Sequence, residues 1–502
     1  MIRKITLIEP MNDHLHIFSR FELPRIGTTL LATILREKGY QTNVLFLKTK
    51  ELLARRIDAD LVGISMITAT ATNSHLIADA LRAQGIPIVF GGPHATFFPD
   101  ESLDHGDFCL AGEGESAFPL LVEALNGGLP LSEVPGLIWR EEGLIRHNPL
   151  PKPVEDLDSL PFPDYTLLDQ GRKKPFGRLP RKGIVPMQTS RGCPFDCTFC
   201  SVTGMFGRKY RFRSTESVIA EMRRYDPKKH YLFFYDDNFC ANSRHTRELL
   251  QAMIREDFGF QWSTQVRVDV ARDPELLDLM RKAGCTTLFI GIESVDPVSL
   301  KEMKKGQSVE EIRHGIREIR ARGIHVHGMF VFGFDTDTPQ KAHATLRFAI
   351  QEKIESAQFM ILTPLPGSAF YKQMEAEGRI LDRRWDTYDA HHVKFLPKAF
   401  TPWELQYTQI KAHAMFYSPW QTILRLLRGS KAGFAIGIYA QGLNRTWKRQ
   451  ERPYIRAIKG LSAALQWAAG RGTRQAAAAG TLTPSGVRAL TASGTLKAVP
   501  GA

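Results

Sequence analysis

Cysteine is scarce in this sequence, six in 502 residues, which excludes the disulfide-dense scaffolds of small secreted domains. No run reaches the roughly 20 apolar residues that a membrane-spanning helix needs. The longest informative uncharged run, 61–78, is full of Thr, Ser and Asn and reads as a strand followed by a helix. The opening MIRKITLIEP has no apolar stretch behind it, so it reads as a strand rather than a signal peptide, and a cytoplasmic location is expected. Acidic residues almost vanish from the C-terminus: residues 421–502 hold 13 Lys and Arg against Glu451 alone, while the first 420 hold 53 basic and 52 acidic groups. The net charge of +13 is therefore local, and no nucleic-acid partner is expected. What is present, 43% hydrophobic and 24% charged residues, is a globular composition with length for about three domains.

Residues 1–144 alternate strand and helix. The strands read ITLIEP, TNVLFL, LVGISM, IPIVFGG and DFCLAGEG, with helices beginning near Leu23, Thr72 and Ser116. This pattern predicts a doubly wound, Rossmann-like parallel sheet, whose ligands sit at the C-terminal strand edge at the switch point. Polar and small residues cluster there: Glu9, Ser65, Thr68, Gly91, Gly92, Pro93, His94, Gly112, Glu113, Gly114 and Glu115. Residues 145–184 are rich in proline and read as a linker. Over 185–385 the alternation resumes with six strands, IVPMQTS, YLFFYDD, FQWSTQVRV, TLFIGIES, HVHGMFVFGF and SAQFMILTPLP. Six such units predict a partial (β/α)6 barrel, although the strand count alone leaves a second doubly wound sheet open. Residues 386–460 read as a C-terminal helical region, and 461–502, dominated by Ala, Gly, Ser and Thr, as a disordered tail.

Three of the six cysteines, Cys193, Cys197 and Cys200, fall within eight residues, just after the first barrel strand. On a helix, positions seven apart lie about 10.5 Å apart along the axis, too far for three thiolates to converge. Gly192 and Pro194 argue for a loop, which can wrap. The spacing leaves three explanations: buried apolar cysteines, a zinc site, or a four-iron cluster with one iron open. Zinc wants a fourth ligand, and His230, Cys240 and Cys285 are distant in sequence.

The C-x3-C-x2-C spacing, the aromatic Phe199 before the last cysteine, the position after strand one and the six βα units together resemble the radical S-adenosylmethionine (SAM) enzymes. That resemblance implies a 4Fe-4S cluster on Cys193, Cys197 and Cys200 whose open iron chelates SAM, and an electron donor such as a flavodoxin or ferredoxin. It also implies SAM-binding roles for other residues. Phe199 would lie by the adenine, and Asp236 and Asp237 would bind the amino group. Gln265 and Arg267 would lie near the carboxylate, Glu293 would take the ribose, and Gly328 and Gly333 would allow close approach to the adenine.

GISM, GGPHAT and GEGES at the edge of the first sheet resemble the cobalamin-binding domains of one radical SAM branch. The edge residues named above would then line the cobalamin site. The D-x-H-x-x-G string that ligates cobalt from below in many such domains is absent; Asp13, His14 and His16 have the wrong spacing. The resemblance spans about residues 1–400. It implies C-methylation of an unactivated carbon of a lipid-like or tetrapyrrole substrate, with an oxidoreductase or cyclase of the same architecture as the alternative, and a non-catalytic iron–sulfur SAM sensor as a third reading. Finally, Ile423, Leu424, Leu427, Phe434, Ile436, Ile438 and Tyr439 alternate with Arg425, Arg428, Lys431, Arg445, Lys448 and Arg449, around an uncharged stretch of 13 residues, 432–444. This basic, partly amphipathic segment predicts peripheral contact at the inner membrane surface.

Overall fold

The computed structural model describes residues 1–14, 23–171 and 182–479. The first sheet contains β1 (Lys4–Ile8), β2 (Gln41–Leu45), β3 (Leu61–Ser65), β4 (Ile88–Gly91), β5 (Phe108–Leu110), β6 (Leu137–Glu141), β7 (Leu144–His147) and β8 (Leu168–Asp169). Their order is β7-β6-β5-β4-β3-β1-β2-β8. Strand β1 pairs in parallel with both β2 and β3, so the chain reverses direction across the sheet there and opens a crevice at the C-terminal ends of β1 and β3. Alternate side chains feed two cores, Ile5 and Leu7 one face and Ile8 the other, as a sheet covered on both sides by helices requires.

The segment expected to be a linker is partly sheet. Strand β7 pairs antiparallel with β6, so a boundary at residue 144 would cut a hairpin, and β8 extends the other edge beside β2. The hairpin turn is built on Glu142 and Gly143, both with positive φ. Residues 172–181 of the expected linker lie outside the described residues.

The second sheet is built from β9 (Gly183–Met187), β12 (His230–Phe234), β13 (Trp262–Val266), β14 (Cys285–Glu293), β15 (His325–Phe332) and β16 (Ser356–Ile361), all parallel and in sequence order, with β10 (Ser190–Arg191) and β11 (Arg211–Phe212) forming a separate two-stranded ladder. It is an open six-stranded half-barrel, so a second doubly wound sheet is excluded. Its outer layer is closed by a core that includes Trp262, Phe234, Phe330 and Phe359. An open sheet leaves a strand edge whose backbone groups need partners. On β16 the helix Pro402–Phe416 and the residue after it cover that edge. Tyr417 Oη donates to the Ala357 carbonyl and accepts from its N–H, both at 2.8 Å, and Gln409 Nε2 donates to the Phe359 carbonyl at 3.1 Å.

Residues beyond the barrel reach back into the first domain. Trp385, Tyr388 and Tyr371, from beyond the last barrel strand, lie in the core of the first domain, where Trp385 Nε1 donates to Glu101 at 2.6 Å. At the C-terminus, helices Pro419–Leu427 and Lys431–Gln450 pack on each other, and Arg452–Ala479 runs on as one helix. Where disorder is expected over 461–502, the helix continues to Ala479, as an alanine-rich run favours, and Ser462 Oγ ties its earlier part down by accepting from Trp403 N–H at 2.9 Å. Residues 480–502 lie outside the described residues. Among the described residues no helix is long and apolar enough to cross a membrane.

Replacing Tyr417 with Phe is expected to strand the Ala357 N–H and carbonyl and to lower stability by about 1–3 kcal/mol, read as a lower thermal midpoint. An unchanged midpoint would show that water satisfies the β16 edge instead.

Candidate active site

Strand β9 ends at Met187, and the next four residues launch the cysteine loop. Asp236, fully buried after β12, fixes that launch. Its Oδ1 accepts from Thr189 N–H (2.9 Å), Ser190 N–H (2.6 Å) and Ser190 Oγ (2.9 Å), and its Oδ2 accepts from Thr189 Oγ1 (3.0 Å). Burial pushes its carboxyl up to about 6 against the pull of those bonds. Gly192 turns the chain with φ of 89°, where an added Cβ would stand 2.4 Å from the Lys209 carbonyl. The β10–β11 ladder then closes 192–210 into a loop. Within it Cys200 N–H donates to the Cys197 carbonyl at 3.1 Å, and all three cysteines are half-buried.

The other three cysteines are elsewhere. Cys109 and Cys285 are buried in strands, and Cys240 packs toward Met280. Burial raises the Cys193 thiol and pushes Cys200 up to about 11. Three half-buried cysteines on one wrapped loop are a donor set that fits an iron–sulfur cluster.

The structure sorts the residues expected at SAM into two groups. Asp237, Phe199 and Gln265 lie at a strand end or on the loop with part of their surface exposed, and Glu293 closes β14 as a buried carboxylate. Asp237 is exposed beside the cysteines, its carboxyl pushed up to about 7 by partial enclosure and by Asp236. Phe199 meets Phe334 edge-on at 5.9 Å between centroids. Glu293 sits after a bulge in β14 with φ of 62°, and its Oε1 accepts from Lys305 Nζ at 3.0 Å. The rest are committed to the protein. Asp236 holds the loop, as described. The Arg267 guanidinium lies 3.9 Å from the Phe195 ring and bonds the Lys305 carbonyl and Asp269, so it braces the cysteine loop. A Cβ on Gly328 would point at Phe330 and Ile354, and one on Gly333 at Leu405 and Phe395, so both glycines serve close packing on the helix side.

At the first sheet, Ser65, Gly91, Gly92, Gly112 and Gly114 lie at the crevice edge, and no atom stands within 4 Å of the Cβ position of Gly91. Five other edge residues are turned inward. Glu9 pairs with Arg25, whose Nη2 donates to the Ser65 carbonyl at 2.8 Å, bridging β1 and β3. Thr68 and His94 are buried on each other; His94 packs against Trp385 at 5.0 Å, and burial and His75 push it down to about 3, so it is neutral. Pro93 only begins a short helix. Glu113 accepts from both terminal nitrogens of Arg211, and Glu115 pairs with Arg191 at 2.7 Å. Burial alone would raise the Glu113 carboxyl, but Arg211 and Arg191 hold it below the usual range. These two glutamates therefore fasten the first sheet to the barrel beside the cysteine loop.

Several polar atoms escaped the sequence reading because only burial reveals them. Arg25 Nη1, Thr28 Oγ1 and Thr29 Oγ1, at the start of helix Ile26–Glu37, are buried with no hydrogen-bond partner among the described residues. So are Asn238 Oδ1, next to Asp237, and the whole amide of Gln307, two residues beyond Lys305. Buried polar groups are ordinarily paired, so these atoms have hydrogen-bonding capacity that the described residues do not use.

Residues 187–349 match the Radical SAM superfamily and residues 18–122 match the B12 binding domain. The uncharacterized methyltransferase PH0819 of Pyrococcus horikoshii is 30% identical over 78% of this chain and 88% of its own. The chain belongs to the radical SAM superfamily, in the branch with a B12 binding domain. Bacteriochlorophyllide d C-12(1)-methyltransferase of Chlorobaculum tepidum is 31% identical to this radical SAM enzyme over 68% of this chain and 70% of its own. Among solved structures, the radical SAM methyltransferase TsrM of Kitasatospora setae, with cobalamin and a [4Fe-4S] cluster bound, superposes with a TM-score of 0.61 at 21% identity over 75% of each chain. The cobalamin-dependent enzyme OxsB superposes with a TM-score of 0.64 at 15% identity over 97% of this chain and 82% of its own. The cofactors of this radical SAM enzyme are thus a 4Fe-4S cluster, SAM and cobalamin.

Replacing Cys193, Cys197 or Cys200 with Ala is expected to abolish the brown cluster absorbance and all SAM cleavage. The same change at Cys109, Cys240 or Cys285 should leave iron content intact. Iron lost from the Cys240 variant alone would reassign the ligands.

Proposed function

We propose that this enzyme methylates an unactivated carbon of a lipid-like or tetrapyrrole substrate. The observation that carries the reading is the fastening of the two ligand sites: Arg191 and Arg211 on the cluster-loop ladder grip Glu113 and Glu115 at the edge of the first sheet, so loop and crevice address one space. When bound, the cluster with SAM supplies one-electron chemistry, and cobalamin supplies a transferable methyl group. The chain's own residues do the rest. Asp237 and the Asn238 amide hold the amino-acid end of SAM, Glu293 and Gln307 the ribose, and Phe199 the adenine. Arg25, Thr28 and Thr29 hold polar edges of the corrinoid, and Gly91, with nothing within 4 Å of its Cβ position, gives it room beside Ser65. Phe233, Tyr235, Phe289, Met329 and Met360, all half-buried on alternating strand positions, offer an apolar, aromatic interior suited to a flat or greasy substrate. The relatives point the same way: they include a hopanoid C-2 methylase of Rhodopseudomonas palustris at 29% identity.

The test is incubation of the reduced holoenzyme with trideuteromethyl SAM and candidate lipids or tetrapyrroles. The expected product carries the labelled methyl group. A product that has lost hydrogen and gained no label would instead establish the oxidoreductase or cyclase reading, which a relative at 28% identity, an anaerobic magnesium-protoporphyrin IX monomethyl ester cyclase, supports. No 5′-deoxyadenosine on reduction would establish a sensor.

We further propose that the enzyme works at an anionic membrane surface. Trp420, Ile423, Leu426 and Leu427 are exposed on helix Pro419–Leu427, with exposed Arg428 and Lys431 beside them. Arg425 does not contribute, because it is buried, donates to the Phe416 carbonyl and stacks on the Phe416 ring. Each basic side chain near such a surface contributes about 1 kcal/mol. The chain is expected to sediment with anionic vesicles at low salt, and Ile423→Glu with Leu427→Glu to abolish this. Equal sedimentation of variant and wild type would refute the surface role.

A further inference from the structure

Away from the cluster loop and the crevice, His14, His392 and Glu451 converge from three distant parts of the chain: the segment after β1, the segment beyond the barrel, and the junction of the last two helices. One nitrogen or oxygen from each lies within 4.8 Å of the others. The two imidazoles are arranged alike. His14 turns Nδ1 toward Glu451 Oε1 at 3.1 Å and Nε2 toward Asp386 Oδ2 at 3.3 Å. His392 turns Nε2 toward Glu451 Oε2 at 3.4 Å and Nδ1 toward Asp389 Oδ1 at 2.9 Å. Each ring thus has one nitrogen on an outer aspartate and the other facing the shared glutamate.

That arrangement is the carboxylate–histidine pattern which, around metals, fixes the tautomer and aims the free lone pair at the ion. Asp389 is itself held, since its Oδ1 also accepts from His391 N–H at 2.8 Å and His392 N–H at 3.2 Å. Distance favours a metal as well. Ligands about 2 Å from a tetrahedral zinc stand about 3.3 Å apart, matching the 3.1 and 3.4 Å separations here. The second observation is independent of the clustering. The His392 side chain is fully buried, and its Nε2 faces Glu451 Oε2 at 3.4 Å without a well-formed hydrogen bond to any described residue. A buried ring nitrogen held in front of a carboxylate in that way has its lone pair placed for an ion that both could ligate.

We propose that His14, His392 and Glu451 bind a divalent transition-metal ion of the zinc class, with Asp386 and Asp389 as outer partners, and that this ion staples the first domain to the C-terminal helices. The alternative for the same geometry is a pair of imidazolium rings held by three carboxylates without a metal.

The test uses tag-free holoenzyme with its cluster and cobalamin loaded, incubated with zinc chloride and desalted. Elemental analysis should find stoichiometric zinc in addition to cluster iron, and zinc X-ray absorption should show nitrogen and oxygen neighbours with no sulfur. Zinc affinity should fall at least about tenfold in Asp389→Asn, which keeps the ring and its packing, and zinc should be lost from Glu451→Gln, with iron unchanged in both. A chelator should lower the thermal midpoint of the wild type but not of Glu451→Gln. Failure of the wild type to retain zinc, sulfur neighbours in the absorption spectrum, or equal retention by both variants would overturn the proposal.

Discussion

The bond between Glu113 and the arginines of the cysteine loop governs the geometry of everything around it. Arg191 stands two residues before Cys193, and Arg211 is its neighbour across the β10–β11 ladder. Both reach out of the barrel to carboxylates at the edge of the first sheet. All four charged side chains are less than a tenth exposed. Charges released by separation would be rehydrated, so the pairing adds little net stability; what it fixes is the register of the loop against the sheet edge. The loop that carries the cluster is therefore positioned by the first domain as much as by its own barrel. The residues that would hold cofactors on either side of the junction are thereby kept in one fixed relation, as chemistry shared between two bound groups requires.

A second layer of constraint is built from groups that look catalytic in the sequence and turn out to be scaffolding. Asp236 ends a barrel strand, as functional carboxylates do, but it faces backward and holds Thr189 and Ser190. Arg267 has the fork suited to a carboxylate and lies on Phe195 instead. Asp237, one residue on from Asp236, stays exposed, while Glu293 is buried against Lys305. At the end of β12 one carboxylate holds the loop and the next faces outward, a division that follows from strand geometry, since adjacent side chains point to opposite faces.

This explains what could be read from the sequence and what could not. The two sheets, the open half-barrel and the cysteine loop were legible because hydrophobic period and cysteine spacing are local signals. The direction of a side chain at a strand end is not local. Asp236 and Asp237 differ by one residue, and only packing says which is buried. Glu113 reads as a ligand in GEGES until Arg211, 98 residues away, is seen to hold it. The β6–β7 hairpin was missed because its second strand, LIRH, carries little apolar signal. The final helix was missed because alanine-rich sequence reads as low complexity although alanine favours helix. The orphaned atoms of Arg25, Thr28 and Gln307 had no sequence signal at all, since being unpaired is a property of the fold.

The insertion of Trp385 and Tyr388 into the first domain's core bears on how the chain is made. Synthesis runs from the N-terminus, so the first sheet leaves the ribosome long before these aromatic rings exist. Until residue 388 has emerged, His94, Phe98 and the indole's partner Glu101 face a gap that a tryptophan should fill. The nascent first domain must wait, its core unsealed, while the barrel, residues 183–361, is translated and folded beside it. Domain order along the chain and order of completion are therefore opposed: the first domain to begin folding is closed by a segment translated after the last barrel strand, so a crevice that depends on that core is finished only once the whole barrel is in place.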